Sequence, residues 1–168
     1  MGLRLNVGSG QRPFAKPWIN IDVEERWKPD VVCDASRLPY DDGTAEMIVL
    51  HQVLEHFGCG EGQGLLRECH RVLQPSGSLL VFVPDMRALA QRWLMGKLDT
   101  QIYMTNVYGA YMGDEHDRHK WGYIHTTLFN ELRAVARWQV LLDFDWRQLP
   151  GADLPSADWW MLAKEAVK

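Results

Sequence analysis

The sequence predicts an α/β fold: an open, mostly parallel sheet with an antiparallel C-terminal strand pair, and a first crossover helix that is short or missing. Three observations lead there. Short continuous apolar runs recur through the first half, as in strands buried on both faces. Segments with helical periodicity separate the later runs. The early runs end on polar or glycine-rich steps, which a parallel sheet would gather along one edge.

Taken in order, Leu3–Val7 alternates apolar and polar residues and stops at Gly8-Ser9-Gly10. Trp18 to Val23 is β-favouring and contains Asp22 at its end. The segment 8–17 that joins them contains Pro13 and Pro17 and is too short for a full crossover helix, so at most one helical turn is expected there. Pro29 precedes Val31-Val32-Cys33, which ends on Asp34. Met47 to Leu50 is wholly apolar and ends on His51; Ser78 to Val83 ends at Pro84-Asp85. Leu65, Leu66, Cys69, Val72 and Leu73 form a helical stripe that stops before the turn signal Gln74-Pro75-Ser76-Gly77. Met86 to Met95 and Thr127 to Arg137 read as further helices. Gln139 to Phe144 and Trp159 to Glu165 read as late strands, paired antiparallel across the turn-rich stretch Gln148 to Ser156.

The bulk properties narrow the function classes. The chain has 168 residues, enough for one domain with one core, and 46% of them are hydrophobic. The net charge of −4 argues against a bulk electrostatic grip on nucleic acid or an anionic membrane. Cys33, Cys59 and Cys69 have no CxxC spacing and read as reduced thiols. With neither a signal-peptide pattern nor a membrane-span-length apolar run, a cytoplasmic location is expected. The eight tryptophans suit core and rim packing and leave a homodimer open.

Gly8 and Gly10 suit a sharp turn with close approach of a ligand to the backbone, or a tight turn alone. A carboxylate at Asp22 can accept two hydrogen bonds from a ribose diol. Asp34 can accept from an adenine amino group, or simply cap the turn at Ser36. Two acids at successive strand ends behind one GxG point together to a nucleotide-type cofactor.

These residues resemble class I S-adenosylmethionine-dependent methyltransferases of the small-molecule type, grouped with biosynthetic and cell-surface enzymes. Leu5-Asn6-Val7-Gly8-Ser9-Gly10 resembles the glycine-rich first motif, and Ile19-Asn20-Ile21-Asp22 the second strand with its ribose-binding acid. Val32-Cys33-Asp34-Ala35 with Leu38-Pro39-Tyr40 resembles the adenine-side motif. Met47 to Phe57 resembles the fourth strand and an "LEH" helix start, and Arg71 to Gly77 the turn before the fifth strand. The resemblance implies a Rossmann-like sheet, S-adenosylmethionine as cofactor, and a single domain over 1–168. Residues 1–84 would form the cofactor half, and 85–168 a substrate-capping segment and the C-terminal strands. It places Asn6, Gly8, Ser9, Gly10, Asp22, Val23, Asp34, Ala35 and His51 against the cofactor. Departures are Asn6 for the frequent acid, Glu46 for an aspartate, Ser76 for a glycine, and the lack of a third glycine after Gly10.

Methyl transfer asks the protein chiefly for alignment and exclusion of water, with a base when the acceptor carries a proton. Histidine suits that role near neutral pH. His51, His56 and His119 are therefore the catalytic candidates, and Glu55, Tyr108, His116 and His119 the candidates for contact with a small-molecule acceptor, such as a sugar or cell-surface precursor. The step His119-Lys120-Trp121-Gly122-Tyr123 fits a family pattern for a capping segment, with Tyr108 and Tyr111 nearby. His116 and His119 form an HxxH pair in a loop, weak as a metal signal, and no metal is expected. Two other readings stay open: a degenerate adenosyl-binding regulatory or partner subunit, and a nucleotide-binding enzyme of another type. The missing third glycine disfavours a dinucleotide fingerprint.

Overall fold

The computed structural model of the chain describes residues 2–110, 115–144 and 161–168. Seven strands form one sheet in the order β3-β2-β1-β4-β5-β7-β6. They are β1 Leu3–Val7, β2 Trp18–Asp22, β3 Val31–Val32, β4 Ala45–His51, β5 Leu73–Pro84, β6 Val140–Asp143 and β7 Met161–Val167. Strands β1 to β5 pair in parallel, while β7 runs antiparallel to both β5 and β6. The helices are α1 Gly62–Val72, α2 Met86–Leu94, α3 Thr100–Tyr108 and α4 His125–Val135. Among the described residues no helix is long and apolar enough to cross a membrane.

The continuous apolar runs are explained by burial on both faces of the sheet. On one face Leu5, Ile48, Leu50, Leu79 and Val81 pack with Leu65, Leu66 and Cys69 of α1 and with Leu128 and Leu132 of α4. On the other face Val49, Leu80 and Phe82 pack with Phe14 and Trp18. No helix forms between β1 and β2, as expected from the short 8–17 segment. Phe14 partly fills the place of one. Its ring meets Trp18 edge-on at 5.2 Å, and both are buried.

A polar relay holds the same loop. Asn20 Oδ1 accepts from Phe14 N (2.7 Å) and from Asn6 Nδ2 (2.9 Å). Asn20 Nδ2 donates to Phe14 O, and Asp30 Oδ2 accepts from Asn20 N. Backbone groups that a helix would pair internally thus find side-chain partners. Arg71 does comparable work for the loop after β3: it donates to Leu38 O and Tyr40 O and pairs with Glu68 and Asp42.

Several element boundaries differ from expectation. The segment Gln74 to Gly77 is not a turn between helix and strand. It is an irregularity inside β5, where the register on β4 jumps from Ala45↔Leu73 to Met47↔Ser78 and Ser76 sits at φ 63°. The same jump leaves Glu46 out of the ladder, and its carboxylate accepts from Gly2 N and Arg4 Nε. Glu55 and His56 do not start the next helix; they lie in a separate 3-10 turn, Leu54–His56, and α1 begins only at Gly62. Helix α3 was not anticipated. Asp99 caps it, but none of its residues is buried, so it carries no apolar stripe to read. The late strands pair antiparallel as expected, with Asp143 opposite Lys164 and their side chains 2.5 Å apart. The stretch Gln148 to Ser156 lies outside the described residues, as does Tyr111.

Candidate active site

Strand order reverses between β1 and β4, the switch point beyond which ligands of open α/β sheets sit. A cavity of about 760 Å³ opens there, at the carboxyl ends of β1, β2, β3 and β4. That size suits a small-molecule or cofactor site. The loop after β1 contributes Asn6 through Arg12, and the end of β2 contributes Asp22 and Val23. Asp34 and Ala35 follow β3, and His51 ends β4. His56, His116 and His119 form the opposite wall with Asn106 at the end of α3. Every residue expected against the cofactor thus lines this one cavity.

The glycine loop is built by two hydrogen bonds from Gly8 N and Ser9 N to Ile21 O, 2.8 and 3.0 Å long. Gly8 has φ 70°, and a Cβ there would collide with Val53 Cγ2. Gly10 has φ 48° and no described atom within 4 Å of where a Cβ would stand, so its backbone is open to a ligand. Asp22, buried, accepts from Gly10 N at 2.7 Å and from Glu24 N at 2.8 Å, one on each carboxylate oxygen. Asp34 is exposed and caps Ser36 N at 2.8 Å. That hydrogen bond is the main reason its carboxyl lies below the usual range. Asn6 turns its amide toward Asn20 and Arg12 O, and so serves the loop as well as the cavity wall.

The three candidate histidines are not equivalent. His51 is buried against Phe82, and among the described residues its Nε2 has no hydrogen-bond partner. Burial first, and the Arg12 charge second, pull its pKa down to about 4, so it is neutral at pH 7. It is therefore a poor general base and a good neutral hydrogen-bonding group. His56 and His119 meet edge-on at 4.9 Å. Burial lowers both, with partial offset from carbonyls: Arg118 and Gln52 for His56, Asn106 for His119.

Two expected acceptor contacts sit elsewhere. Tyr108 has an exposed side chain that does not line the cavity; its carbonyl instead accepts from His119 N. Glu55 lies behind the wall, with burial pushing its carboxyl up to about 8. Its carbonyl accepts from Lys120 N and Trp121 N, and this seats the expected capping step. His116 does line the cavity, with its ring 3.6 Å from a Glu24 oxygen. Sequence reading missed Arg12, Trp27 and Asn106, all wall residues. They sit in segments without a motif, and only Arg12, next to the glycine loop, stood where a signal was available.

A methyltransferase-domain family model matches residues 7–81. Over this stretch, which holds the glycine loop, Asp22, Asp34 and His51, the chain is similar to a methyltransferase domain. Solved structures share the fold over nearly the whole chain. The PH0226 protein of Pyrococcus horikoshii OT3 superposes with a TM-score of 0.64 at 15% identity, covering 99% of this chain and 81% of that one. A SAM-dependent methyltransferase of Archaeoglobus fulgidus gives 0.62 at 15% identity, covering 99% and 86%. The Burkholderia thailandensis 1,6-didemethyltoxoflavin-N1-methyltransferase, solved with bound 1,6-didemethyltoxoflavin and S-adenosylhomocysteine, gives 0.58 at 16% identity, covering 99% and 70%. No curated protein sequence matches the chain.

The cavity fits S-adenosylmethionine, the cofactor of the methyltransferases to which the chain is similar. The open backbone at Gly10, the Asp22 carboxylate beside it and the unpartnered His51 Nε2 are polar features that a ligand would satisfy. Arg12 adds a positive charge where the missing helix would have offered its N-terminus.

Proposed function

We propose that this methyltransferase domain transfers a methyl group from S-adenosylmethionine to a polar small-molecule acceptor. The observation that carries the reading is the convergence of Gly8 to Gly10, Asp22, Asp34 and His51, from four strand ends, on one cavity. When bound, the cofactor supplies an electrophilic methyl group on a sulfonium. Asp22 already accepts two backbone N–H groups, and each of its oxygens keeps a lone pair for a ribose hydroxyl. Asp34, Val23 and Ala35 would flank its adenine. Arg12 would hold the methionine carboxylate, a task that helix N–H groups would otherwise share. His51 offers its neutral Nε2 to the ligand rather than taking a proton.

The acceptor would lie against Asn106, His116, Asp117, His119 and Lys120, a polar wall that favours a hydroxylated acceptor such as a sugar-type precursor. The docking of Lys120 and Trp121 on the Glu55 carbonyl supports a capping role for this segment, which would help exclude water. Calorimetry with S-adenosylmethionine and S-adenosylhomocysteine tests the reading. Binding of both at micromolar levels is expected; no binding at millimolar levels overturns it. A methyl-transfer screen over hydroxylated metabolites then separates an enzyme from a cofactor-binding subunit.

A further inference from the structure

Two residues of the polar wall, His56 and His119, and Glu55 behind them each bring a ligand-type atom within 4.8 Å of the other two. The geometry points to a binding site for one divalent transition cation, of the zinc class, held by the Glu55 carboxylate and the two imidazoles. This site lies outside the cofactor reading, and it shares only His119 with the HxxH pair of the sequence.

The histidine orientations support it. His119 Nδ1 lies 2.8 Å from Asn106 O, and His56 Nδ1 lies 3.2 Å from Arg118 O. A carbonyl only accepts, so the neutral His119 ring carries its hydrogen on Nδ1 and keeps the Nε2 lone pair; His56 is turned the same way toward Arg118 O, with the Gln52 carbonyl also near its ring. A ring fixed through Nδ1–H to a backbone carbonyl, with Nε2 left to the metal, is the usual arrangement behind a ligating histidine. The two rings cross at 80° and so converge from different directions.

Glu55 supplies the second, independent observation. Its side chain is 1% exposed, and among the described residues neither carboxylate oxygen has a hydrogen-bond partner. Protonation alone would leave the group just as unpartnered. A cation bound to one of its oxygens gives the carboxylate a partner and offsets its charge, the common way in which proteins keep such a group buried. The ligands are also preassembled. Glu55 O accepts from Lys120 N at 2.8 Å and Trp121 N at 3.1 Å, which fastens the strand of chain carrying His119 to the turn carrying Glu55 and His56.

Two imidazoles and one carboxylate form a nitrogen- and oxygen-rich set that suits zinc and its neighbours better than magnesium or calcium. Tetrahedral ligation places donor atoms roughly 3.4 Å apart, so the three groups need draw in by about an ångström or a little more. Both histidines line the cavity and Glu55 lies behind them, so the remaining coordination positions face the cavity.

The test uses the full chain, stripped with chelator and titrated calorimetrically with zinc chloride, manganese chloride and magnesium chloride. One zinc per chain, at micromolar affinity or tighter and at least tenfold above magnesium, is expected. Glu55→Gln and His119→Ala should each weaken zinc binding at least 100-fold, while Cys59→Ser, which removes the exposed thiol, leaves it unchanged. No zinc binding at 100 µM protein, or binding that survives both ligand changes, overturns the proposal. Should the variants fail to fold, the cobalt-loaded wild-type chain decides. Visible d–d bands without thiolate charge transfer support the site, and their absence overturns it. S-adenosylhomocysteine binding, measured on the same stripped chain, reports the cofactor reading separately.

Discussion

Asp22 illustrates how one residue does two things. Its carboxylate holds the glycine loop through Gly10 N and still has acceptor capacity facing the cavity. Asp22→Ala should weaken S-adenosylhomocysteine binding by ~10- to 100-fold, through loss of charge-assisted hydrogen bonds and a loosened loop. Asp22→Asn should recover part of the loss; calorimetry of both variants checks it, and equal affinity to wild type would remove Asp22 from the site. Arg12 is a cleaner case, since its side chain is exposed and it can be removed without opening the core. Arg12→Ala should weaken S-adenosylhomocysteine about tenfold but leave adenosine affinity unchanged, because only the former carries the amino-acid carboxylate. An equal effect on both ligands would place Arg12 at the adenosine end instead.

At the scale of elements, the loop between β1 and β2 is the unusual part. It has to do without a helix, and it does so with one aromatic ring and one amide relay. Phe14→Ala should cost about 3 kcal/mol of stability, as for other buried aromatics, because it uncovers Trp18 and the outer face of β4 and β5. Gly8→Ala combines a positive φ with a Cβ driven into Val53, and about 2–4 kcal/mol is expected. Thermal unfolding measures both. The two variants should differ in cofactor affinity at temperatures where both are folded, with Gly8→Ala the more damaging, since its backbone lines the cavity and Phe14 does not.

For the whole molecule, several histidines push stability in one direction. His51, His56, His70 and His119 all have pKa values lowered chiefly by burial. A lowered folded-state pKa means that the unfolded chain binds the proton first as pH falls. The stabilisation is therefore complete above about pH 6.5 and is lost as pH drops toward the folded values, about 4 for His51. His51 alone should contribute a few kcal/mol to that slope, and His51→Asn should flatten it. Denaturant unfolding at pH 7, 6, 5 and 4 reads the slope directly. A slope unchanged in the variant would mean that His51 is more hydrated than its burial implies. The carboxylates of Asp30, Glu46 and Asp143, lowered by their hydrogen bonds, add their own loss at still lower pH.

Much of this architecture was written in local sequence. The apolar runs of β1, β2, β4 and β5 and the stripe of α1 are periodic features, and periodicity survives without tertiary information. So did the expectation that 8–17 cannot hold a crossover helix, which follows from chain length and two prolines. The edge along which Gly8, Asp22, Asp34 and His51 gather needed only the assumption that the strands run parallel. Other features were decided in three dimensions. Helix α3 has no buried face, so nothing in its pattern announces it. Gln74 to Gly77 has turn chemistry but lies inside a strand, because Leu73 before it and Ser78 after it both pair with β4. The histidines are the clearest instance. Composition and motif could say that His51, His56 and His119 sit near a pocket. Only packing could make His51 neutral, turn both other rings by their Nδ1 atoms and leave the Glu55 carboxylate buried with no partner among the described residues, because protonation and ligand geometry depend on burial and on groups distant in the chain.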